Sequence, residues 1–362
     1  MSGGGWFGAT VVEPADENET AAILRSANET GQAVIPAGGG TKLDWGNPPR
    51  KADILLSMRR MNRVIEHAWA DLTVTVEAGC TIAALQRTLA EHGQRLAVDP
   101  LWPERATVGG ILATNDSGAL RLAFGALRDL IIGVTLALAD GTIAMSGGKV
   151  VKNVAGYDLP KLVTGSLGTL GVITRAVFRL HPLPRNARTL TIAAKDAQDM
   201  QRVILAILDA RLAVTAVQAR PGNEVDILLE GTTDGIAAQE AVIEEMGTVR
   251  EGSPAVWKAR EGLWGEAPIV KFTMLPSGIA AAAEPFSRFV IQATGIGYAQ
   301  FRGDLRGLRE ATERAGGSLV VLGKSDVDAW GNTGDTLPLM RAVKAQFDPK
   351  NTLNPGRYAG GI

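Results

Sequence analysis

Glycine-rich loops that follow short strands constrain the fold of this chain more than any other feature of its sequence. Residues 165–171, GSLGTLG, lie between a predicted amphipathic helix over 159–163 and a predicted β-branched strand over 172–180. Glycine permits positive φ and the close approach of a flat or phosphorylated ligand. Similar loops occur at residues 36–43 and 107–118. Each loop alone is as consistent with a structural turn as with a cofactor surface.

The balance of charge bounds the possible partners. The chain has 37 lysine and arginine residues and 38 aspartate and glutamate residues, for a net charge of −1. We therefore expect no broad basic field for nucleic acid or for a membrane surface. Hydrophobic residues make up 46% and charged residues 21%, which is typical of a soluble globular protein. A length of 362 residues accommodates about two or three domains.

The single cysteine and the terminal segment limit the chemistry and the cellular setting. Cys80 stands alone, so this chain by itself forms no disulfide and holds no iron–sulfur cluster. We interpret Cys80 as a small buried hydrophobic residue. Residues 1–17 lack a basic region followed by an apolar run, so we predict no secretory signal. The longest uncharged apolar candidate, 130–139, has the length of a strand, so we predict no membrane span.

The first half of the chain alternates helices and strands. An acidic start and a closing glycine predict a helix over 13–31, and Thr81 is the expected N-cap of a helix over 81–92. Strands are predicted at 33–35, 54–58, 72–76 and 131–138, the last followed by a hairpin turn at 139–142. Two small α/β layers in succession follow from this order.

The composition changes near residue 185. Strands are predicted at 189–193, 213–220 and 225–230, and helices at 199–208 and 237–246. This order predicts an independent α+β layer with antiparallel hairpins. A helix over Leu337–Phe347 precedes a turn-rich tail, which we expect to dock back onto the first domain. The predicted domains are therefore 1–184, 185–345 and a C-terminal return at 346–362.

The order of the glycine loops resembles a known family. A Walker sequence is absent, and so is a GxGxxG motif after the first strand, which disfavours P-loop and NAD-type Rossmann folds. Residues 36–41, PAGGGT, resemble the pyrophosphate loop of the vanillyl-alcohol oxidase type of FAD-binding proteins. Residues 106–118 resemble the second cofactor segment of that family. Residues 125–129, 152–159, 165–174 and the tail NPGR at 354–357 extend the resemblance.

The resemblance implies a fold and a cofactor. The fold is α+β, with a PCMH-type FAD-binding domain of two α/β subdomains over 1–184 and a smaller antiparallel-sheet cap. The first loop lacks the histidine that family members with covalent flavin often have, so the FAD is expected to be non-covalent. The residues implied to bind it are Pro36, Ala37, Gly38, Gly39, Gly40, Thr41, Lys42, Leu43, Thr107, Val108, Gly109, Gly110, Ala113, Thr114, Asn115, Ser117, Gly118, Gly125, Arg128, Gly165, Gly168, Gly171, Val172, Ile173, Asn354 and Arg357.

A narrower resemblance concerns function. The segments LVTGSLGTLGVITRAVFRLHPLP and FDPKNTLNPGR are similar to those of the FAD-binding E subunits of bacterial glycolate oxidases. This similarity implies a complex with a larger flavin subunit and an iron–sulfur subunit, acting on a small 2-hydroxy acid. It also implies a cytoplasmic protein that the complex can bring to the inner membrane. The alternatives are a self-sufficient FAD-dependent D-2-hydroxy acid dehydrogenase and a non-catalytic assembly subunit with the same fold.

The spacing of the motifs identifies no catalytic residue, and three cationic residues are the candidates. Arg260 and Lys271 are cationic and suit a substrate carboxylate, and Arg357 suits negative charge on a reduced flavin. An exposed ion pair is the simpler interpretation of Arg260. The three histidines, His67, His92 and His181, occupy separate contexts, so we interpret them as structural or surface residues. No metal site is predicted.

Overall fold

The computed structural model describes residues 8–148, 158–265 and 267–362. The strands are β1 (Thr10–Val12), β2 (Val34–Ala37), β3 (Ile54–Ser57), β4 (Val64–Ala68), β5 (Thr73–Glu77), β6 (Gln94–Arg95), β7 (Ile131–Ala137), β8 (Ile143–Gly147), β9 (Val172–Arg179), β10 (His181–Pro182), β11 (Asn186–Ala193), β12 (Val214–Arg220), β13 (Glu224–Gly231), β14 (Val249–Glu251), β15 (Ile269–Thr273), β16 (Arg288–Gln292), β17 (Ile296–Gln300) and β18 (Ser318–Leu322). The α-helices are α1 (Glu17–Thr30), α2 (Ile82–Ala90), α3 (Val108–Thr114), α4 (Arg121–Phe124), α5 (Leu127–Leu130), α6 (Leu159–Val163), α7 (Ala197–Asp209), α8 (Thr233–Glu244), α9 (Ile279–Ala283), α10 (Leu305–Arg314) and α11 (Leu337–Phe347). Short 3-10 helices occur at Met58–Arg60, Trp69–Asp71, Pro254–Lys258, Glu261–Leu263, Pro276–Gly278, Gly334–Thr336 and Ala359–Gly361.

The α+β fold class is confirmed, and the chain divides into two compact units. The first unit comprises residues 1–117, 126–183 and 332–362, and the second comprises 118–125 and 184–331. These limits differ from the predicted domains at residues 118–125, at residue 184 and at residues 332–345. Residues 118–125 join the second unit because Leu122 of α4 packs against its hydrophobic core. Residues 332–345 belong to the first unit because α11 carries Lys344, which is bonded within that unit.

The first unit contains three sheets, the smallest of which pairs β6 with β10 in antiparallel fashion. A three-stranded parallel sheet has the order β1-β3-β2, and a five-stranded antiparallel sheet has the order β4-β5-β9-β7-β8. The predicted helix 13–31 begins later, at Glu17, because Asp16 is its N-cap and accepts a hydrogen bond from the Glu19 amide. It ends at Gly31, which is left-handed with φ 69°, as glycine at this position should be. The hairpin between β7 and β8 is also confirmed.

Charged groups line a cleft of about 450 Å³ beside β5 and β9 in the first unit. Arg63 donates to the buried carboxylate of Glu77, with Nη2 at 2.7 Å from Oε1, and Arg175 Nη2 lies 3.0 Å from Glu17 Oε2. Burial raises the pKa of Glu77, but the hydrogen bonds from Arg63 outweigh it, so that the pKa lies below its usual value. Glu77 and Glu17 of this cleft are therefore held in ion pairs with arginines.

Cys80 is confirmed as a buried residue of the first unit. It is 2% exposed and belongs to a core with Val74, Leu85 and Phe178. Burial raises the pKa of its thiol, so the reactive thiolate is disfavoured. Within the described residues, no helix combines the length and apolar character needed to cross a bilayer.

The second unit is built on one antiparallel sheet of eight strands, in the order β14-β11-β13-β12-β16-β17-β15-β18. The predicted strand–helix pattern near its start is confirmed by β11, α7, β12, β13 and α8. Alternate strand residues such as Ile192, Val217 and Ile227 face a core that also contains Met200 and Ile204 of α7. Two separate 3-10 turns, Pro254–Lys258 and Glu261–Leu263, occupy the segment between Trp257 and Trp264.

Candidate cofactor site

The glycines of the first loop pack directly against residues 105–107, where the second loop begins. A Cβ atom placed on Gly38 would lie 2.0 Å from Thr107 Oγ1, and one on Gly39 would lie 1.7 Å from the Arg105 carbonyl oxygen. Only glycine fits at these two positions, because real Cβ contacts are never so short. Thr107 is the N-cap of α3, where its Oγ1 accepts from the Gly110 amide at 3.3 Å. The glycines of 36–43 thus bring the first loop against the start of the second.

A buried ion pair joins the same two loops. Lys42 Nζ lies 3.2 Å from Asp116 Oδ2, and the two side chains are 4% and 0% exposed. Asp116 also accepts from the Leu101 amide at 2.9 Å. The ammonium group lies 5.7 Å and 5.5 Å from the ring centres of Trp45 and Trp102. Removing only one partner of such a pair lowers the stability of the fold, because the charge of the other partner stays buried.

The third glycine loop is bonded to the second loop and to the C-terminal tail. The Gly165 amide donates to the Leu112 carbonyl oxygen and the Leu167 amide to that of Ala113, both at 2.8 Å. From the other side, Asn354 Nδ2 donates to the Leu167 carbonyl oxygen at 2.5 Å. Gly168 has φ 71°, a conformation that suits glycine, and lies against Asn354. The third loop is therefore held between the second loop and the tail.

Arg357 ties the tail to the first loop. Its Nη2 donates to the carbonyl oxygens of Leu43 and Trp45, both at 2.6 Å, and its Nη1 lies 3.4 Å from Asn354 Oδ1. Burial lowers the pKa of this guanidinium to about 10, although the negative charge of Asp44 acts to raise it. The side chain is 3% exposed and also lines the cavity described below. Arg357 is thus engaged with loop backbone, and its predicted role towards the flavin ring stays a prediction.

A second buried ion pair anchors the tail itself. Lys344 Nζ donates to Asp348 Oδ2 at 2.6 Å, to the Thr169 carbonyl oxygen at 2.8 Å and to that of Leu353 at 2.9 Å. The Asp348 carboxylate also accepts from the amides of Thr352 and Leu353 at 2.8 and 2.7 Å. Burial lowers the pKa of Lys344, and the neighbouring carboxylate opposes that shift. This pair connects α11, the tail and the third glycine loop.

The three loops and the tail surround a cavity of about 60 Å³. Its lining residues are Pro36, Ala37, Gly38, Gly39, Gly40, Thr41, Lys42, Leu43, Thr107, Gly110, Ala113, Thr114, Leu167 and Arg357. All but Leu167 are residues that the sequence predicted to bind FAD. Glycine backbone, threonine hydroxyls and cationic groups suit the phosphates and the polar ring edge of a dinucleotide. Asn115 Oδ1, at the end of α3, is buried and no described residue donates to it, so this acceptor suits an N–H or O–H donor of the cofactor.

Other predicted residues lie apart from this cavity. Gly118 and Gly125 belong to the second unit, so they are outside the cluster of the first. Val172 and Ile173 point into two hydrophobic cores and are 1% and 6% exposed, which leaves only their backbone for a ligand. Of the remaining predicted residues, Val108 and Ser117 are buried, whereas Arg128 is exposed. Gly109 packs on Ala78, and Gly171 packs beside Leu136. Residues 152–157 of the resemblance lie outside the described residues.

The weak catalytic candidates of the cap and the histidines occupy different units. Arg260 and Lys271 lie in the second unit, both close to the ring of Tyr298. Arg260 is 6% exposed, so the exposed position expected for it is wrong. His92 stacks on Trp69 with ring centres 5.4 Å apart, and His67 contacts His92 edge-on at 5.1 Å. Among the described residues, no group of histidine, cysteine or acidic residues has the arrangement of a metal site.

Sequence reasoning missed several residues that organise the site. Asp116 lies within the recognised second loop, but nothing in the pattern pairs it with Lys42. The i,i+4 spacing of Lys344 and Asp348 was a usable signal, although on a helix it normally indicates a solvent-exposed pair. Leu167 lines the cavity from within the third glycine loop, where it adopts φ 52°, and the pattern of glycines does not indicate this role.

Comparison with known proteins agrees with this geometry. Residues 8–146 match the FAD binding domain model, and residues 324–358 match that of the FAD linked oxidases, C-terminal domain. The glycolate oxidase subunit GlcD of Bacillus subtilis is 33% identical over 202 residues, covering 56% of this chain and 43% of that protein. This chain therefore spans less than half the length of that relative. A D-lactate dehydrogenase of Archaeoglobus fulgidus is 29% identical over an alignment of 408 positions, which covers 96% of this chain and 90% of that protein.

Solved structures agree on the fold. An alkyldihydroxyacetonephosphate synthase superposes with a TM-score of 0.72 at 18% identity, covering 95% of this chain and 75% of that one. At this identity the similarity concerns the fold alone. Together, the two family models and the cluster of glycine loops identify the cofactor of the first unit as FAD. Two segments of the chain, residues 8–146 and 324–358, are thus similar to the FAD binding domain and to the C-terminal domain of FAD linked oxidases.

Proposed function

We propose that this chain is the FAD-binding subunit of a complex that oxidises a small 2-hydroxy acid such as glycolate. In this complex it passes electrons from the substrate or a partner flavin to an iron–sulfur subunit. The observation that carries the proposal is the cavity of the first unit, where three glycine loops and the C-terminal tail converge. FAD supplies hydride and single-electron chemistry when bound. The residues that would hold it non-covalently are those that line this cavity.

The roles of individual residues follow from their contacts. Gly38 and Gly39 allow the first loop to lie on the second, while Lys42 and Arg357 supply positive charge beside the cavity. In the second unit, Arg260 is a buried cation that suits a substrate carboxylate. The first unit also contains all three histidines of the chain, so the second unit offers no imidazole as a proton acceptor. A partner subunit would then complete the chemistry of the substrate.

A second candidate is a self-sufficient FAD-dependent dehydrogenase of D-2-hydroxy acids. One observation favours it: the D-lactate dehydrogenase of Archaeoglobus fulgidus aligns over 96% of this chain. In this case the second unit must supply the substrate site and the proton acceptor from non-histidine side chains. Both candidates require bound FAD, whereas an assembly subunit without catalysis does not.

The test compares the isolated chain with the complex isolated through a tag on this chain. Both are purified with FAD, and the visible absorbance of the oxidised flavin is followed after anaerobic addition of glycolate or D-lactate. The proposal predicts a flavin that the isolated chain leaves oxidised and that the complex reduces. Rapid bleaching by the isolated chain contradicts the subunit proposal and supports the second candidate. A chain that takes up no FAD contradicts both.

A further inference from the structure

A leucine of the third glycine loop has a strained backbone. Leu167 adopts φ 52°, in the left-handed region where a side chain is sterically disfavoured and glycine or asparagine is usual. In the described part of the chain, eight non-glycine residues have a positive φ, and four of them are asparagines. The other four are Leu72, Trp102, Leu167 and Arg211, of which only Leu167 is buried. A buried side chain is therefore kept at a position where glycine would avoid the strain.

Two hydrogen bonds fix this conformation. The Leu167 amide donates to the Ala113 carbonyl oxygen of the second loop at 2.8 Å, and the Leu167 carbonyl oxygen accepts from Asn354 Nδ2 of the tail at 2.5 Å. Strained residues persist only where the surrounding structure determines their conformation, and they concentrate at sites that bind ligands. Because the amide and the carbonyl group of Leu167 are both engaged with protein, its side chain is the part that remains for a ligand.

The position of Leu167 connects it to the cofactor cavity of the first unit. The residue lines this cavity and is 6% exposed. None of the three hydrophobic cores that the described residues form includes it, whereas Val172 and Ile173 of the following strand belong to such cores. The first loop lines the same cavity with the apolar residues Pro36 and Leu43. Leu167 is thus an aliphatic residue in the wall of a cavity that is otherwise rich in glycine and threonine.

The strain and the position of Leu167 together indicate what its side chain does. We infer that Leu167 is a cofactor-contacting residue, whose side chain packs against one of the two flat aromatic rings of FAD. Burial of apolar surface against the ring contributes to the affinity for FAD and offsets the strain, which the free chain also carries. The isoalloxazine and adenine rings share the flat shape on which an aliphatic side chain packs. This inference concerns the bound cofactor alone, so it goes beyond the proposed function and requires no substrate.

Variants of the full chain at two leucines test the inference. Leu167→Ala removes the side chain beyond Cβ but keeps the strain, whereas Leu167→Gly removes both. Leu167→Met keeps an apolar side chain of similar volume and tests rescue. The matched control is Leu72, which has the same φ of 52°, is 39% exposed and lies outside the cavity. Leu72→Ala and Leu72→Gly change the strain at that position in the same way.

Two properties are measured for each variant. The thermal midpoint of the FAD-free chain reports the strain, and isothermal titration calorimetry gives the affinities for FAD, FMN and ADP. FMN and ADP both contain phosphate, but each carries only one of the two rings. A loop that is disturbed as a whole therefore weakens the binding of both, whereas a lost ring contact weakens the binding of one.

The expected results separate strain from binding. At both positions the glycine variant melts about 2–4 °C above the alanine variant, because only glycine is free of the strain. Leu167→Ala and Leu167→Gly both bind FAD about tenfold more weakly than the wild type, since both lack the apolar contact. Leu167→Met binds FAD within about twofold of the wild type, and the Leu72 variants keep the wild-type affinity. The loss at Leu167 recurs with FMN or with ADP, which identifies the ring in contact.

The inference is overturned if Leu167→Ala and Leu167→Gly bind FAD as tightly as the wild type. It is also overturned if affinity follows the thermal midpoint, so that Leu167→Gly regains what Leu167→Ala loses, because the role of the residue is then structural. Equal losses for FMN and ADP overturn it for the same reason. The reduction of the flavin by glycolate does not enter these measurements, so failure of the proposed function and failure of this inference are distinguishable.

Discussion

Replacing Lys344 tests whether the buried ion pair of α11 holds the tail and the third glycine loop in place. Lys344→Met removes the counter-charge of Asp348, whose side chain is 0% exposed, and the donor to the carbonyl oxygens of Thr169 and Leu353. Two backbone amides still donate to the carboxylate, but its charge stays buried. Removing one partner of a buried pair costs about 3–5 kcal/mol. We expect a loss of this size in the free energy of unfolding.

Urea denaturation of the FAD-free chain, followed by far-ultraviolet circular dichroism, measures this loss. Lys350→Met is the matched control, because Lys350 donates to the exposed Asn28 carbonyl oxygen at 3.1 Å in the same tail. We expect the control to lie within about 0.5 kcal/mol of the wild type. The double variant Lys344→Met with Asp348→Asn removes both charges and should recover part of the loss. If the free energy of unfolding of Lys344→Met lies within about 1 kcal/mol of the wild-type value, the buried ion pair does not hold the tail in place.

Three further predictions concern the first unit. Lys42→Met leaves Asp116 buried without its counter-charge, so FAD affinity, measured by quenching of flavin fluorescence, should fall at least about tenfold. An unchanged affinity would show that the ion pair of Lys42 and Asp116 does not contribute to FAD binding. Gly39→Ala places a methyl group against a carbonyl oxygen and should cost about 1–3 kcal/mol in chemical denaturation, whereas Gly262→Ala, with nothing within 4 Å, should be neutral. Glu77→Gln should lower the thermal midpoint at pH 7. Because the Glu77 pKa is depressed below 4.5, that difference should shrink as the pH falls from about 5 to 3, and a constant difference would contradict the pairing.

Local signals in the sequence predicted most of the first unit. Glycine and threonine set the end of α1 and the start of α2, since Gly31 is left-handed and Thr81 accepts from the Ala84 amide. The glycine loops were recognised because only glycine fits where Gly38 meets Thr107. Such constraints act within a few residues or through one residue type, so they are visible in a single sequence.

Long-range pairing was less visible. Lys344 resembles a solvent-facing lysine of an amphipathic helix, yet its ammonium group bonds a carbonyl oxygen 175 positions away. The order of the eight-stranded sheet was not predicted, because β16 and β17 come between β12 and β15 through contacts that local pattern does not encode. Buried polar residues of that sheet, such as Gln292, had a signal in the alternation of Arg288, Val290 and Gln292, but alternation does not reveal which polar groups stay unpartnered.

The central claim is that the loops of the first unit bind FAD without a covalent bond. The most direct measurement is the flavin content of the purified chain after reconstitution, before and after acid precipitation of the protein. We expect stoichiometric FAD on the native chain and its full release into the supernatant. A chain that binds no FAD, or one that keeps the flavin in the precipitate, would contradict it.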